Sequence, residues 1–360
     1  MWSSKWVDLD FSGSISPPGG YAGTDFDNRG EKANSDTVST TNNFLYYNLG
    51  AQVQLGAFGV SAMGDFIRYD VSSPASEGGS SLQLTLGRIH LVGAYGLFDN
   101  QLVVGGGARI VFVNIDERAS SGAVISMVGA APEAGIVVKP NDVPWRIGAT
   151  VRSAVEASDL KTGTTVVDPN TGARLAAGFV TPRSITQPWE VEAGVAFQLG
   201  PRPLNPPWIN PSDDELGVTD PAQKKQLLAR RKARYQNWPR ERVLLLASAV
   251  MTGPSTDAVA LEGFLEQKRE IVGRHIGVSP RFAAESEPIP NLLRLRTGVY
   301  LEPSRFDYGT ARQHFTFGGD VRIFAWDLFG LLPMTTLRIS GFFDVSARYY
   351  NYGGGLGVWH

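Results

Sequence analysis

The stretch PWEVEAGVAFQLG, residues 188–200, alternates apolar side chains with polar or small ones at every second position. The first set comprises Trp189, Val191, Ala193, Val195, Phe197 and Leu199. The second set comprises Glu190, Glu192, Gly194, Ala196 and Gln198. Successive side chains of a β-strand point to opposite faces of its sheet. The stretch therefore predicts a strand with one wholly apolar face and one polar or small face.

The same alternation recurs in segments 5–15, 145–155, 293–301 and 336–349, where no charge falls in the apolar set. Strands of soluble proteins average about five or six residues, whereas a strand tilted across a bilayer needs roughly nine to eleven. The length of these segments therefore favours strands that cross a membrane, with lipid covering the apolar face.

We predict fourteen strands, near residues 5–15, 43–55, 58–69, 82–97, 102–115, 126–139, 145–157, 188–199, 242–252, 275–286, 292–302, 314–324, 335–349 and 352–360. Tight connections follow even-numbered strands, at 56–57, 98–101, 140–144 and 287–291. Long connections follow odd-numbered strands, at 16–42, 70–81, 158–187 and 253–274. Turns on one side and long loops on the other are typical of outer-membrane barrels. The predicted fold class is all-β: a transmembrane up-and-down antiparallel β-barrel of about 14 strands.

Composition excludes several kinds of chemistry. The 360 residues include no cysteine, so disulfides, thiol catalysis and cysteine-held metals are impossible. A net charge of −2 argues against a nucleic-acid partner. The four histidines lack metal-ligand spacing, and no nucleophile elbow, phosphate-binding loop or dinucleotide fingerprint is present. We therefore expect no enzyme activity, no catalytic residue, no cofactor and no metal site.

The segment 201–241 breaks the alternation on the tight-turn side and divides strands 1–8 (residues 1–200) from strands 9–14 (residues 242–360). Its first half is rich in proline, and Thr219 and Asp220 before Pro221 predict a basic helix that ends near Trp238. Such a charge run is usually a solvated helix face. The alternative is a periplasmic insertion that contacts lipid head groups or a periplasmic protein.

Apolar residues at helical spacing in the loop 253–274, from Ala258 to Val272, predict a short amphipathic helix. Such a stripe more often packs on a barrel rim than binds a ligand. Three of its residues are nevertheless our candidates for substrate capture: Leu261, Phe264 and Leu265.

Ionised side chains in the strands are expected to face the barrel interior, because an arginine or lysine facing lipid at mid-depth costs about 2–4 kcal/mol. The phase of the alternation selects nine candidate lumen residues: Arg109, Arg146, Arg152, Glu190, Glu192, Arg294, Arg296, Tyr300 and Arg338. Pro132 and Pro280 lie inside predicted strands and predict a local kink, with a lateral gap in the wall as the alternative.

Four segments resemble the outer-membrane long-chain fatty acid transporter family, the FadL-like barrels. They are WRIGATVRSAVEA (145–157), PWEVEAGVAFQLG (188–200), LRLRTGVYLEPSRF (293–306) and HFTFGGDVRIF (314–324). The resemblance implies a fourteen-stranded barrel in a bacterial outer membrane, in contact with membrane lipids. It also implies passive uptake of hydrophobic small molecules, which apolar extracellular loops capture and the lumen releases laterally or inward.

The chain departs from that family in two places. No export signal is visible, and nothing before Lys5 can supply the family's N-terminal hatch, so outer-membrane placement requires that a leader was removed. The insertion 201–241 is also longer than the family's usual turn. A second hypothesis is therefore a scaffold barrel that tethers a periplasmic partner through 201–241. A third, a membrane-embedded lipid enzyme, would need Ser, His and a third polar group converging on the outer face, and no such set is evident.

Overall fold

The computed structural model describes residues 7–23, 28, 39–72, 81–117, 123–157, 165–167, 174–176, 179–180, 185–207, 218, 220–236, 242–255, 258–259, 271–328 and 332–359. Within them the strands are β1 (Val7–Gly23), β2 (Ser39–Leu55), β3 (Phe58–Ser72), β4 (Ser81–Leu97), β5 (Leu102–Glu117), β6 (Ala123–Val138), β7 (Trp145–Arg152), β8 (Val155–Ala157), β9 (Thr165–Val167), β10 (Arg174–Ala176), β11 (Phe179–Val180), β12 (Ile185–Gln187), β13 (Glu190–Leu199), β14 (Val243–Thr252), β15 (Ala258–Val259), β16 (Ile271–Val272), β17 (Gly277–Ile289), β18 (Leu293–Glu302), β19 (Arg312–Leu328), β20 (Leu332–Ser346) and β21 (Tyr349–Trp359). One helix, α1, spans Pro221–Gln236 in this part of the chain.

Fourteen of these strands form a closed barrel in the order β1-β2-β3-β4-β5-β6-β7-β13-β14-β17-β18-β19-β20-β21. Strands that follow one another along the chain lie side by side and antiparallel. β1 closes the barrel by pairing with β21, where Ser12 lies opposite Trp359 and Gly23 lies opposite Tyr349. The predicted up-and-down barrel of 14 strands is confirmed.

The polarity of the barrel is the reverse of that of a soluble protein. In β13, Val195, Phe197 and Leu199 are 42%, 41% and 49% exposed, whereas Gln198 between them is only 4% exposed. Large apolar side chains are usually buried and polar ones exposed. The apolar set of the alternation therefore covers the outside of the barrel, and the polar set faces its interior.

Several strands are longer than the sequence predicted. β1, β2, β4 and β19 each have 17 residues, more than the roughly nine to eleven that a tilted strand needs to cross a bilayer. The barrel wall therefore extends past the apolar belt. The ladders of β5–β6 and β14–β17 run without a register shift through Pro132 and Pro280, whereas on the other side of each strand the pairing with β7 and β18 begins only past the proline, at Glu133 and Arg281.

Two predicted strand ends are corrected. The predicted strand 145–157 leaves the barrel wall after Arg152, and β8 pairs with β12 instead. The N–H of Ser153 still donates to the Pro132 carbonyl at 3.0 Å, and the chain leaves the wall beyond this bond. The last hairpin turns at residues 347–348, earlier than predicted, where Arg348 takes a left-handed conformation with φ of 63°.

The prediction for the loop 253–274 is wrong at both ends of its apolar stripe. β15 and β16 form a two-stranded antiparallel sheet, in which Ala258 pairs with Val272, so neither residue lies on a helix. The residues between them, 260–270, lie outside the described part of the chain.

Helix α1 begins where the sequence predicted, and the side chain of Asp220 accepts a hydrogen bond from the Ala222 N–H at 3.1 Å. This contact caps the first turn of the helix. Of the helices that the structure describes, none has both the length and the apolar character needed to span a lipid bilayer.

Candidate functional site in the barrel lumen

A cavity of about 770 Å³ lies along the inner wall formed by β1–β7, β13 and β14. Glycine and alanine contribute much of its lining, which leaves room beside the wall. Its polar lining comprises Ser12, Asn48, Asp65, His90, Glu133, Thr150, Arg152, Glu192 and Ser248. The barrel therefore encloses space whose wall carries both small and ionisable side chains.

Arg109 of β5 is the central residue of a set of charged side chains that we call the mid-lumen network: His90, Arg109, Glu133, Arg152, Glu190 and Glu192. Arg109 is 1% exposed. Its Nη1 donates to Glu190 Oε2 and its Nη2 to the Ser153 carbonyl, both at 2.9 Å. β5 and β13 are not neighbours in the wall. Arg109 and Glu190 therefore meet across the inner side of the barrel.

Arg152 joins three carboxylates of this network. Its Nη1 lies 3.4 Å from Glu192 Oε2 and 3.8 Å from Glu190 Oε2, and its Nε lies 3.8 Å from Glu133 Oε2. The structure thus brings together four residues selected from the sequence, Arg109, Arg152, Glu190 and Glu192. Their role in lining a transport path stays a prediction.

Sequence analysis missed His90 and Glu133. The Nδ1 atom of His90 lies 3.0 and 2.9 Å from the two carboxylate oxygens of Glu133. His90 lies in β4 and Glu133 in β6, with β5 between them in the wall, so no short sequence motif contains both residues. The signal that could have found it is register: His90 lies opposite Arg109 on the same inward face.

Beyond the mid-lumen network, toward the long loops, the inner wall becomes apolar. Val111 and Ile115 share the strand phase of Arg109 and are 1% and 8% exposed. With their neighbours they form two adjoining clusters that we call together the upper-lumen cluster: Leu82, Val111, Ile115, Val124, Ile125, Met127, Ala131 and Val155. The inner face is therefore polar at mid-barrel and apolar at the long-loop end.

The hairpin of β8 and β12 covers this cluster from within. Val155 of β8 is 1% exposed, and Ile185 of β12 packs against both parts of the cluster. Gly129 of β6 allows the close approach, since a β-carbon there would lie 2.5 Å from Val155 Cγ1. The long loop after β7 thus returns into the barrel mouth and packs against its inner wall.

A second group of charges lies at the tight-turn end. Glu287 is 6% exposed and accepts a hydrogen bond from Arg294 Nη2 at 3.1 Å, with Arg242 and Arg202 each 3.7 Å away. Glu285 accepts from Arg242 Nη2 at 2.5 Å. Two carboxylates therefore hold three arginines at this end of the lumen.

Asp320 extends the same network along the wall. It pairs with Arg296 Nη1 at 3.0 Å and with Arg338, while Arg296 also donates to Glu285 at 2.8 Å. The candidates Arg294, Arg296 and Arg338 are thus brought together.

Arg146 lies apart from these carboxylates and bonds to the insertion. Its Nε donates to Asn205 Oδ1 at 2.5 Å, and its Nη2 donates to the Leu204 carbonyl. Close by, in the turn between β6 and β7, burial lowers the pKa of Lys139, and the charge of Arg146 lowers it further. This part of the tight-turn end is therefore positively charged.

Tyr300, the last of the nine candidates, belongs to a cluster at the long-loop end. Its hydroxyl donates to Asp344 at 2.8 Å, and its ring stacks on His314 with centroids 4.4 Å apart. His314 is 2% exposed and lies 2.8 Å from Asp344 and 2.9 Å from Glu302, which also pairs with Arg312. Both ring nitrogens are engaged by carboxylates, an arrangement that holds three strands together. Nearby, burial lowers the pKa of Arg305, and the charge of Glu190 opposes this shift.

The capture candidates Leu261, Phe264 and Leu265 lie outside the described residues. Among the residues that the structure describes, no group of three or more acidic or histidine side chains is arranged to hold a metal ion.

Comparison with known proteins finds similarity in three-dimensional structure and none at the level of sequence families. No family model and no curated protein matches the chain. A Pseudomonas aeruginosa FadL homologue has a TM-score of 0.52 at 9% identity, covering 98% of this chain and 87% of its own. The Pseudomonas putida toluene transporter TodX has a TM-score of 0.53 at 11% identity, covering 99% and 90%. The monoaromatic hydrocarbon channel CymD gives 0.50 at 9% identity, covering 99% and 88%.

The chain has the fold of FadL-like barrels. At these identities the likeness is one of fold, and it includes the closed ring of fourteen strands. The FadL-like fold also accounts for the apolar exterior, since barrels of this kind present an apolar band to lipid.

Proposed function

We propose that the protein is a passive channel of the bacterial outer membrane that takes up hydrophobic or amphipathic small molecules. In this proposal the molecules enter at the long-loop end, pass through the lumen and leave laterally or at the tight-turn end. Membrane lipid surrounds the barrel, and no catalytic step is involved.

The observation that carries the proposal is the apolar inner wall of the upper lumen. Facing the inside of a barrel, Val111, Val113 and Ile115 gain nothing from lipid contact, yet they continue the inward phase of Arg109. The β8–β12 hairpin packs on Val111 and Ile115 here, so the support that they give is an inner wall that binds apolar groups in preference to water. The same fold serves as a toluene transporter in TodX.

A pair of neighbouring substitutions tests this route. Val113→Asp puts a carboxylate on the inner wall, whereas Asn114→Asp puts the same charge on the other face of β5, where Asn114 already accepts a hydrogen bond from Ser126. In proteoliposomes loaded with a fatty-acid-binding fluorescent reporter, we expect Val113→Asp to slow uptake about tenfold, equal to about 1.4 kcal/mol. Asn114→Asp should leave it unchanged.

Two results would contradict the proposal. One is uptake by the wild-type protein at the rate of empty vesicles. The other is equal uptake by Val113→Asp and Asn114→Asp in barrels that fold equally well.

A second candidate function is a scaffold barrel that binds a periplasmic partner through 201–241. It is favoured by the basic side of α1, where Lys225 and Arg230 are exposed. Deleting residues 208–236 should leave uptake intact if the protein is a channel and abolish recovery of a periplasmic protein if it is a scaffold.

A further inference from the structure

Residues 202–205, the start of the insertion, return to the inner side of the barrel rather than projecting away from it. We call them the strap. Leu204 and Asn205 are 9% and 2% exposed, values found in protein interiors. A proline-rich connection between strands would ordinarily lie in solvent. The burial therefore requires an explanation from the contacts that hold it.

Asn205 is bonded through both ends of its side-chain amide and through its backbone carbonyl. Its Nδ2 donates to the carbonyls of Val143 at 3.0 Å and Trp145 at 2.7 Å. Its Oδ1 accepts from Arg146 Nε at 2.5 Å, and its backbone carbonyl accepts from the Asp142 N–H at 2.9 Å. These contacts fix the strap to the β6–β7 turn and to the first residues of β7.

The other end of the strap reaches in the opposite direction. The carbonyl of Arg202 accepts a hydrogen bond from Gln198, an inward-facing residue of β13, and its guanidinium lies 3.7 Å from Glu287 of β17. In the wall, β17 and β7 are separated by β14 and β13. The strap therefore spans the inner side of four strands at the tight-turn end.

Arg146 confirms that this side is the interior. In register it lies opposite Ala196, two residues from Gln198 and in the same inward phase. Its guanidinium, which pairs most strongly with carboxylates, donates here to two neutral oxygens of the strap, Asn205 Oδ1 and the Leu204 carbonyl. Among the described residues no carboxylate pairs with it.

We propose that the strap is a built-in constriction of the tight-turn exit of the lumen, and that the Arg146–Asn205 pair is the latch that holds it there. Removing either partner releases the strap and widens the exit. The proposal rests on the barrel being a channel, but not on the chemical nature of what it carries.

Single-channel conductance in planar bilayers with potassium chloride tests the latch with the full chain. We expect Asn205→Ala and Arg146→Ala each to raise conductance by about twofold or more, as expected for loss of a constriction. The double variant should raise conductance by less than the two single effects combined, because the bond between Arg146 and Asn205 is lost in both single variants. Gln223→Ala, exposed on α1 in the same insertion, is the matched control and should conduct like the wild type.

Wild-type conductance in both latch variants would overturn the proposal, provided that the variant barrels keep the heat-modifiable migration of folded protein.

If the latch variants fail to fold, labelling of a single introduced cysteine tests the proposal instead, since the chain has no cysteine of its own. Leu204→Cys in otherwise wild-type protein should react with maleimide at least about tenfold more slowly than Gln223→Cys, because the strap is buried. Equal rates would also overturn the proposal. Conductance does not report uptake of hydrophobic molecules, so the failure of one proposal is distinguishable from that of the other.

Discussion

At the scale of single residues, Arg109 shows how the lumen stabilises charge. It is 1% exposed, and its two terminal nitrogens are bonded to Glu190 and to the Ser153 carbonyl. A buried guanidinium is tolerated only when such partners offset the loss of water. The same contacts place the chain after β7 inside the barrel, so Arg109 links the wall to the returning loop.

We expect Arg109→Ala to lower the free energy of unfolding by about 3 kcal/mol, the lower end for breaking a buried ion pair, because Glu190 keeps Arg152 nearby. Urea unfolding of the refolded barrel, followed by tryptophan fluorescence, measures this. The matched control is Arg296→Ala, whose carboxylate partners Glu285 and Asp320 keep other arginines. The control should lose about 0–1 kcal/mol. Equal losses in the two variants would refute the assigned role of Arg109.

Sequence reasoning could select Arg109 but not its partners. Phase along a strand identifies which side chains face inward, and it predicted the inward set that includes Arg152 and Glu190. It does not say which strands lie opposite one another, so His90 and Glu133 were missed. Asn205 was missed for another reason: nothing in a proline-rich segment distinguishes a buried amide from a solvated one.

At the scale of elements, the alternation in β13 determines which face of the wall is apolar and turned outward. Val195, in the middle of that strand, is exposed outward, while Ser248 of β14 lies opposite Gly194 and lines the lumen cavity. The two positions are close in the wall but face different environments.

We predict that Val195→Arg makes folding into phospholipid vesicles less favourable by about 2–4 kcal/mol, since an arginine at mid-bilayer must be removed from water. Ser248→Arg should cost little, because its guanidinium reaches the lumen. Denaturant titration in vesicles measures both. A larger loss for Ser248→Arg than for Val195→Arg would show that the two faces are assigned the wrong way round.

The element that sequence reasoning handled least well is the upper part of β4–β6. There Leu82, Val111 and Ile115 are buried on the inner face, although the same phase carries His90 and Arg109 lower down. The rule of apolar outside and polar inside holds only where lipid is outside. In our proposal this part of the wall lies above the membrane, where the outer face would meet water; its apolar side chains face inward and pack against β8 and β12. Hydrophobic alternation alone does not give the height at which this change occurs.

At the scale of the whole molecule, closure removes the sheet edges. β1 and β21 pair with each other as well as with β2 and β20, so the ring of fourteen strands has no free first or last strand. Strand number and the alternation of turns with loops predicted this closure. They did not predict that the insertion and the loop after β7 return into the two ends of the lumen, because both depend on contacts between distant parts of the chain.

The central claim, that lipid covers the apolar phase and water the polar phase, is tested most directly by a cysteine scan of β13. Each residue from 190 to 199 is replaced singly in the cysteine-free chain, and the proteins are reconstituted in vesicles and treated with a membrane-impermeant maleimide. We predict labelling with a period of two: the even-numbered positions from 190 to 196 react, Gln198→Cys reacts slowly because the strap covers it, and the odd-numbered positions react only in detergent. Labelling without this period, or with the odd-numbered positions reacting faster, would contradict the account.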